Sequence, residues 1–176
     1  MIENFVTAKI GWNEADRMPH DTFSWIGLDG SQVLTHFITT AERNFDYSEH
    51  KVWKYTYNGE LTPKVLLTTY REYKDKQINN ELLIPYGFGD GGGGTTREMV
   101  ANLHVMNELP GLPHVASERV DDFFDELHQR LNSEPNTIPE WNGELYLEFH
   151  RGTYTSQGFV KQQNRRLEFA LRNLEI

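Results

Sequence analysis

Alternating apolar and polar positions along the chain predict strands, and apolar positions about 3.6 residues apart predict helices between them. The predicted strands cover residues 4–10, 32–39, 81–86, 112–116 and 144–149. Helices are predicted from the Thr62-Pro63 pair, along the Met99 face, from a Ser117 cap, and over residues 156–175. Strands alternating with helices predict an α/β fold, with a mostly parallel sheet and flanking helices.

Residues 11–30 show no period and are predicted to be irregular, with aromatic and polar side chains throughout. Long irregular segments inside a compact domain are usually functional loops. Trp12 can stack on a sugar face or simply fill space. His20 and Asp21 fit a ligand role or a structural turn equally well. His36, inside an apolar strand, is expected to be a hydrogen-bonded core residue.

The glycine loop, residues 87–94, follows an apolar run and precedes the Met99 helix. It holds a single carboxylate, Asp90. Three interpretations stay open: a flexible connection, an anion site at a helix N-terminus, or an acid/base or ligand-orienting role for Asp90. The Lys-Ser/Thr pair of a phosphate-binding loop is absent, and Asp90 would repel phosphate.

Composition narrows the possible partners. A net charge of −9 argues against nucleic acid and anionic membranes, and no apolar run is long enough to span a bilayer. The chain has no cysteine, which excludes disulfides and thiolate metal sites and fits the cytoplasm. The start has no signal-peptide pattern. The chain has seven histidines, but His104, His114 and His128 lack metal-ligand spacing, so no metal site is predicted.

Functional groups collect at the carboxyl ends of parallel strands. That rule places the segment after Ile10, the Thr39-Thr40 corner, Asp90 and the His150-Arg151 pair on one side of the predicted sheet. The sequence therefore predicts a cleft at this edge.

Several motifs together resemble the family 38 α-mannosidases, in particular the bacterial and cytosolic branch. They are AKIGWNE at 8–14, MPHDTF at 18–23, GLDGS at 27–31, VLTHF at 33–37, YNGEL at 57–61, YGFGDGGGG at 86–94, LPGLP at 109–113, GELYLEFHRGTYTSQ at 143–157 and NRR at 164–166. The likeness covers nearly the whole chain.

This resemblance implies a zinc-dependent retaining glycosidase acting on mannose-containing oligosaccharides. The family's zinc ligands and nucleophilic Asp have no counterpart here, so the chain is expected to be an internal fragment, with zinc bound only by other parts of the parent and none by this fragment. Residues 1–152 would form the later part of a (β/α)7-barrel-like catalytic domain. Residues 153–176 would form the first helix of a helical domain.

By the same resemblance, Asp90 is the acid/base. Trp12, His20, Asp21 and Arg151 are expected to contribute to the sugar cleft. The fragment alone is expected to be inactive, and a sheet edge exposed by the missing strands is expected to allow a homodimer. The alternative from another class is a non-catalytic carbohydrate-binding or regulatory module. A nucleotide-binding domain is a more distant third.

Overall fold

The structure is a computed structural model and describes residues 2–47, 53–133, 138–149 and 157–175. Its centre is a four-stranded sheet in the order β1-β3-β2-β4. The strands are β1 (Asn4–Thr7), β2 (Thr22–Ile26), β3 (Gln32–Phe37) and β4 (Glu140–Asn142). β1 pairs with β3 and β2 with β4 in parallel, whereas β2 and β3 are antiparallel. The sheet is thus mixed, with its antiparallel pair at the centre.

The antiparallel pair is a hairpin whose first strand, β2, lies in residues 11–30, so the prediction that this segment is irregular was wrong, whereas β3 was predicted. The N–H of Gly27 donates to the Ser31 carbonyl at 2.8 Å, and the Asp29 carboxylate accepts from the Ser31 N–H and hydroxyl. Gly30 has φ of 82°, a left-handed conformation that glycine adopts without strain. So short a connection can only join antiparallel neighbours.

Three predicted strands, at residues 81–86, 112–116 and 144–149, are not strands in the structure. In the first, a single bridge joins Tyr86 to Gly59, and side chains of Asn79 and Thr40 bond other backbone groups of the segment. In the second, the Asn107 side chain satisfies both the N–H and the carbonyl of Val115 at 2.8 Å. The apolar residues of the first two segments pack against clusters that include helix residues, and such packing needs no ladder of hydrogen bonds.

The four helices are α1 (Pro63–Glu72), α2 (Arg97–Met106), α3 (Val120–Ser133) and α4 (Gly158–Leu174), as predicted apart from their ends. Thr62 caps α1 and Thr96 caps α2, each accepting from the N–H three residues on. The predicted cap at Ser117 was wrong, because its hydroxyl bonds the Tyr86 phenol at 2.8 Å. Within the described residues, no helix is long and apolar enough to cross a membrane.

The core has three buried clusters. Leu34 of β3 packs against Phe123, Phe124 and Leu127 of α3. A second cluster joins the ends of β1 and β3 to the Tyr55 segment, and a third joins α1 to α2. Each fully buried Leu or Phe side chain contributes about 2 kcal/mol. α4 contributes no buried residue to them.

His36 confirms the expectation of a satisfied core histidine. It is 1% exposed, and its Nδ1 lies 2.9 Å from the Thr22 hydroxyl. The Phe123 ring lies 4.9 Å away, centroid to centroid. Burial lowers the pKa of the imidazole to about 4, although the Asp75 carboxylate opposes that shift. The ring is therefore neutral at physiological pH.

The buried imidazole predicts loss of stability in acid. Since the pKa of His36 is about 4 in the folded chain and 6.5 in the unfolded one, the folded state binds fewer protons between these values. The free energy of unfolding should fall by up to about 3 kcal/mol as the pH drops from 6.5 to 4. Urea titrations should therefore show the stability gap between the parent chain and His36→Gln shrinking by that amount. A gap for His36→Gln that stays constant between pH 6.5 and pH 4 would contradict this account.

Candidate active site

The glycine loop is a closed turn rather than a flexible connection. Phe88 and Gly93 form an antiparallel bridge, with the Gly93 N–H donating to the Phe88 carbonyl at 3.0 Å. Between them runs a single 3-10 turn, Gly89–Gly91. The Asp90 backbone is the middle of that turn, with glycine on either side. Gly92 has φ of 72°, which a residue with a side chain adopts only with strain.

The loop rests on the backbone of residues 57–59. The Gly59 N–H donates to the Pro85 carbonyl at 2.9 Å, and the Gly87 N–H donates to the Gly59 carbonyl at 3.1 Å. A Cβ on Gly59 would lie only 2.5 Å from the Pro85 oxygen, and one on Gly89 would lie 3.2 Å from the Tyr57 carbonyl oxygen. These contacts require glycine because two main chains touch.

The Tyr57 side chain ties this segment to the end of β1. Its phenol oxygen accepts the Ala8 N–H at 2.7 Å and lies 3.0 Å from the Thr7 hydroxyl. The Lys9 ammonium lies 5.7 Å from the centroid of the Tyr57 ring and 4.0 Å from that of the Trp12 ring. Both distances are within the range of cation–π attraction.

Trp12, one of the predicted sugar-binding residues, is 6% exposed. Its indole N–H donates to the Tyr55 carbonyl at 2.8 Å, and its ring meets Phe149 edge to face at 5.9 Å. Packing and hydrogen bonding therefore fix the indole ring beside Lys9. Contact between Trp12 and sugar stays a prediction.

His20 and Asp21 meet at a third carboxylate, Asp75, just beyond the end of α1. One Asp75 oxygen lies 2.9 Å from His20 Nδ1. The other accepts the N–H groups of Asp21, at 2.5 Å, and Thr22, at 2.9 Å. Asp75 is 8% exposed. A buried carboxylate with three such donors satisfies its hydrogen bonds and fixes the start of β2.

Asp21 is 3% exposed and accepts from the Arg17 guanidinium at 3.0 Å and from the Lys74 N–H at 2.8 Å. Burial raises the pKa of its carboxyl to about 6, while both donors pull the pKa down and the Asp75 charge adds to the rise. The Arg17 guanidinium also donates to the Glu72 carbonyl at 2.7 Å. Asp21 is thus held inside the protein beside a cation that is itself 10% exposed.

The structure brings the predicted residues together in two groups. Trp12 lies with Lys9 and Tyr57, the residue under the glycine loop, while His20 and Asp21 lie with Asp75. Tyr55 joins the two groups. Its backbone carbonyl accepts the Trp12 indole N–H. The Arg17 guanidinium lies 5.4 Å from the centroid of the Tyr55 ring, and the Tyr55 phenol donates to the Glu72 carboxylate at 3.3 Å. His150 and Arg151 fall outside the described residues.

Tyr57 and Asp75 were missed by the sequence analysis as site residues. Their contacts join positions 49 to 55 residues apart, which no local pattern reveals. The only signal for Tyr57 was its place in the YNGEL motif at 57–61.

A cleft of about 370 Å³ opens beside Arg17, at the carboxyl ends of β1 and β3. Its volume is that of a small-molecule site. Polar groups at its wall come from two parts of the chain: Asn13, Asp16, Arg17, Glu144 and Glu148. Trp141 also lines it, and its buried indole N–H has no hydrogen-bond partner in the part of the chain that the structure describes.

Residues 2–47, 53–133, 138–149 and 157–175 contain no group of three or more His, Asp or Glu side chains placed to hold a metal ion. The described residues therefore do not fit a zinc site by themselves.

Residues 1–144 match the family model described as glycosyl hydrolases family 38, N-terminal domain. The chain belongs to glycoside hydrolase family 38. It is 38% identical to alpha-mannosidase G of Dictyostelium discoideum and to an alpha-mannosidase of Saccharomyces cerevisiae, and 36% identical to human alpha-mannosidase 2C1. Each alignment covers 99% of this chain but only 14% or 15% of the relative. The family 38 chain thus spans about one seventh of the length of these relatives.

The contact beneath the glycine loop predicts how alanine substitutions affect stability. Gly59→Ala puts a methyl group 2.5 Å from the Pro85 carbonyl oxygen, so the free energy of unfolding should fall by roughly 2–4 kcal/mol. Gly94→Ala is the matched control, since a Cβ there meets nothing within 4 Å, and it should change stability by less than about 0.5 kcal/mol. Urea unfolding followed by tryptophan fluorescence measures both, and equal effects would show that the two backbones do not touch.

Proposed function

We propose that the full-length protein is an α-mannosidase that hydrolyses mannose-containing oligosaccharides with retention of configuration. The substrate class is supported by the family and by relatives that are named alpha-mannosidases. The observation that carries the mechanism is the Asp90 backbone, at the middle of a turn whose neighbouring residues have no side chains. A sugar can approach such a turn closely.

Asp90 is assigned as the acid/base. A retaining glycosidase uses two carboxyl groups roughly 5–5.5 Å apart, one as nucleophile and one as acid/base. In the first step, Asp90 protonates the glycosidic oxygen as the C–O bond breaks and the nucleophile attacks the anomeric carbon. In the second step, the Asp90 carboxylate takes a proton from a water whose oxygen attacks the anomeric carbon, so the bond between that carbon and the nucleophile breaks and mannose is released. The nucleophile belongs to parts of the parent outside this chain, so the isolated chain is expected to be inactive.

The residues proposed to bind sugar differ in how far their side chains are exposed. Trp12 is 6% exposed, and its proposed part in binding is to hold the backbone next to Gly11 and Asn13, which line the cleft. The His20 side chain is 37% exposed, so its free ring edge can reach a sugar hydroxyl while Nδ1 stays on Asp75. Asp21 is buried, and its proposed part in binding is to orient Arg17, which lines the cleft. Arg151 is proposed as a further contact to substrate.

The wider setting follows from the family. The sheet is proposed to form part of a larger barrel-like catalytic domain, covering residues 1–152 of this chain, with zinc bound by residues elsewhere in the parent. Residues 153–176, with the exposed helix α4, are proposed to begin a helical domain. The parent is proposed to act in the cytoplasm. Pairing of two copies through a sheet edge remains a proposal, with β1 and β4 at the two ends of the described sheet.

A non-catalytic carbohydrate-binding module is the second candidate. The polar side chains at the cleft wall, among them Asn13, Arg17 and Glu144, favour it, since such groups can hold sugar hydroxyls without any chemistry. The two functions differ in what they require of Asp90.

Asp90→Asn in the full-length protein separates these functions. The amide cannot transfer a proton, so kcat on an α-linked mannobiose should fall by about 10² to 10⁴, while calorimetry should show mannobiose binding within about threefold of the parent protein. Asp29→Asn, in the exposed turn between β2 and β3, is the control and should leave kcat unchanged. Undiminished hydrolysis by Asp90→Asn would overturn the assignment of Asp90. Robust turnover of 4-nitrophenyl α-mannoside by the isolated 176-residue chain would instead overturn the proposal that the nucleophile lies outside it.

A further inference from the structure

Tyr57 connects the end of β1 to the segment beneath the glycine loop. Its phenol oxygen accepts the N–H of Ala8, which is fully buried, and shares a hydrogen bond with the Thr7 hydroxyl. The same Thr7 oxygen accepts the N–H of Lys9 at 3.1 Å. Three consecutive residues at the end of β1 are therefore held by one pair of hydroxyl groups.

The backbone of the same tyrosine supports the glycine loop. A Cβ built on Gly89 would lie 3.2 Å from the Tyr57 carbonyl oxygen and 3.5 Å from its Cβ. Two residues later, both backbone groups of Gly59 bond to the entry of the loop, at Pro85 and Gly87. Gly89 is the residue directly before Asp90. A displacement of Tyr57 therefore passes to the Asp90 backbone through a single residue.

The phenol hydroxyl is the group that fixes Tyr57 against the end of β1. Removing it leaves the buried Ala8 N–H without its acceptor, and that group must then find another partner or stay unsatisfied. The Tyr57 ring is half-buried, packs against the cluster that contains Ala8 and Tyr55, and lies 5.7 Å from the Lys9 ammonium. The hydroxyl adds directional hydrogen bonds to that packing.

We propose that Tyr57 is a positioning residue for acid catalysis, which sets the place of the glycine loop through its hydroxyl and its backbone. The inference rests on the proposed function of Asp90 as the acid/base. Tyr57 does not touch the reacting atoms in this proposal; it determines the position of Asp90. A misplacement of about 1 Å in a reacting group can cost about 10²-fold in rate.

A displaced acid can be distinguished from general destabilisation, because only the displaced acid makes the loss of activity depend on the leaving group. A sugar leaving group is a poor one and must be protonated as it departs, whereas 2,4-dinitrophenolate leaves without a proton. A variant that moves the acid alone should therefore lose activity on α-mannobiose and keep it on 2,4-dinitrophenyl α-mannoside. A variant that damages the whole site loses activity on both substrates equally.

The experiment compares full-length variants on these two substrates. Tyr57→Phe should lower kcat/KM on mannobiose by about 10- to 100-fold and on the dinitrophenyl mannoside by less than about threefold. Tyr47→Phe is the matched control: its half-buried phenol also accepts a backbone N–H, from Glu42, and donates to the Lys54 carbonyl. It should change neither substrate by more than about twofold. Should Tyr57→Phe not fold, Thr7→Val removes the other hydroxyl of the pair and should show the same selectivity.

Two failures are distinguishable. If Asp90→Asn loses mannobiose activity selectively and Tyr57→Phe does not, the role of Tyr57 is wrong while the function of Asp90 stands. If Asp90→Asn shows no dependence on the leaving group, the proposed function itself fails. Equal losses on both substrates for Tyr57→Phe and Thr7→Val would make Tyr57 merely structural and overturn the inference.

Discussion

The site depends on the contact of two main chains, one at Gly59 and the other at residues 85–87. Their carbonyl and N–H groups bond reciprocally, and the 2.5 Å that a Cβ on Gly59 would leave to the Pro85 oxygen excludes any side chain there. This contact determines where the glycine loop begins. The bridge between Phe88 and Gly93 then closes the loop, so Asp90 is carried on a turn with a fixed base. Glycine therefore lets the two main chains approach each other closely, in addition to giving the loop conformational freedom.

A second constraint is the burial of charge beside the cleft. Asp21 and Asp75 are both more than nine-tenths buried, and each is compensated by backbone N–H donors and by Arg17 or His20. Such an arrangement is costly to desolvate and tolerates the loss of a partner poorly. It joins the end of α1 to the start of β2 and leaves Arg17 at the cleft wall. Trp141 lines the same cleft, and its buried indole N–H has no hydrogen-bond partner among the described residues.

Local chemistry made the helices predictable. Thr62-Pro63 and Thr96 mark helix starts by their own hydrogen bonds, with no need of tertiary information. The strands were harder, since an apolar run such as 81–86 packs on helices without pairing, and β2 was hidden in a segment whose aromatics suggested a loop. For the site, the glycine run indicated where Asp90 lies. The contacts of Tyr57 and Asp75 cross about 50 residues of sequence and could only come from the folded chain.

The central claim is that Asp90 gives a proton to the departing sugar. A crystal structure of the full-length protein with a non-hydrolysable thio-linked mannobioside tests it most directly. The account predicts an Asp90 carboxyl oxygen within about 3 Å of the bridging sulfur, with the glycine loop resting on Tyr57. A carboxylate turned away from the ligand and held in a buried ion pair would contradict it.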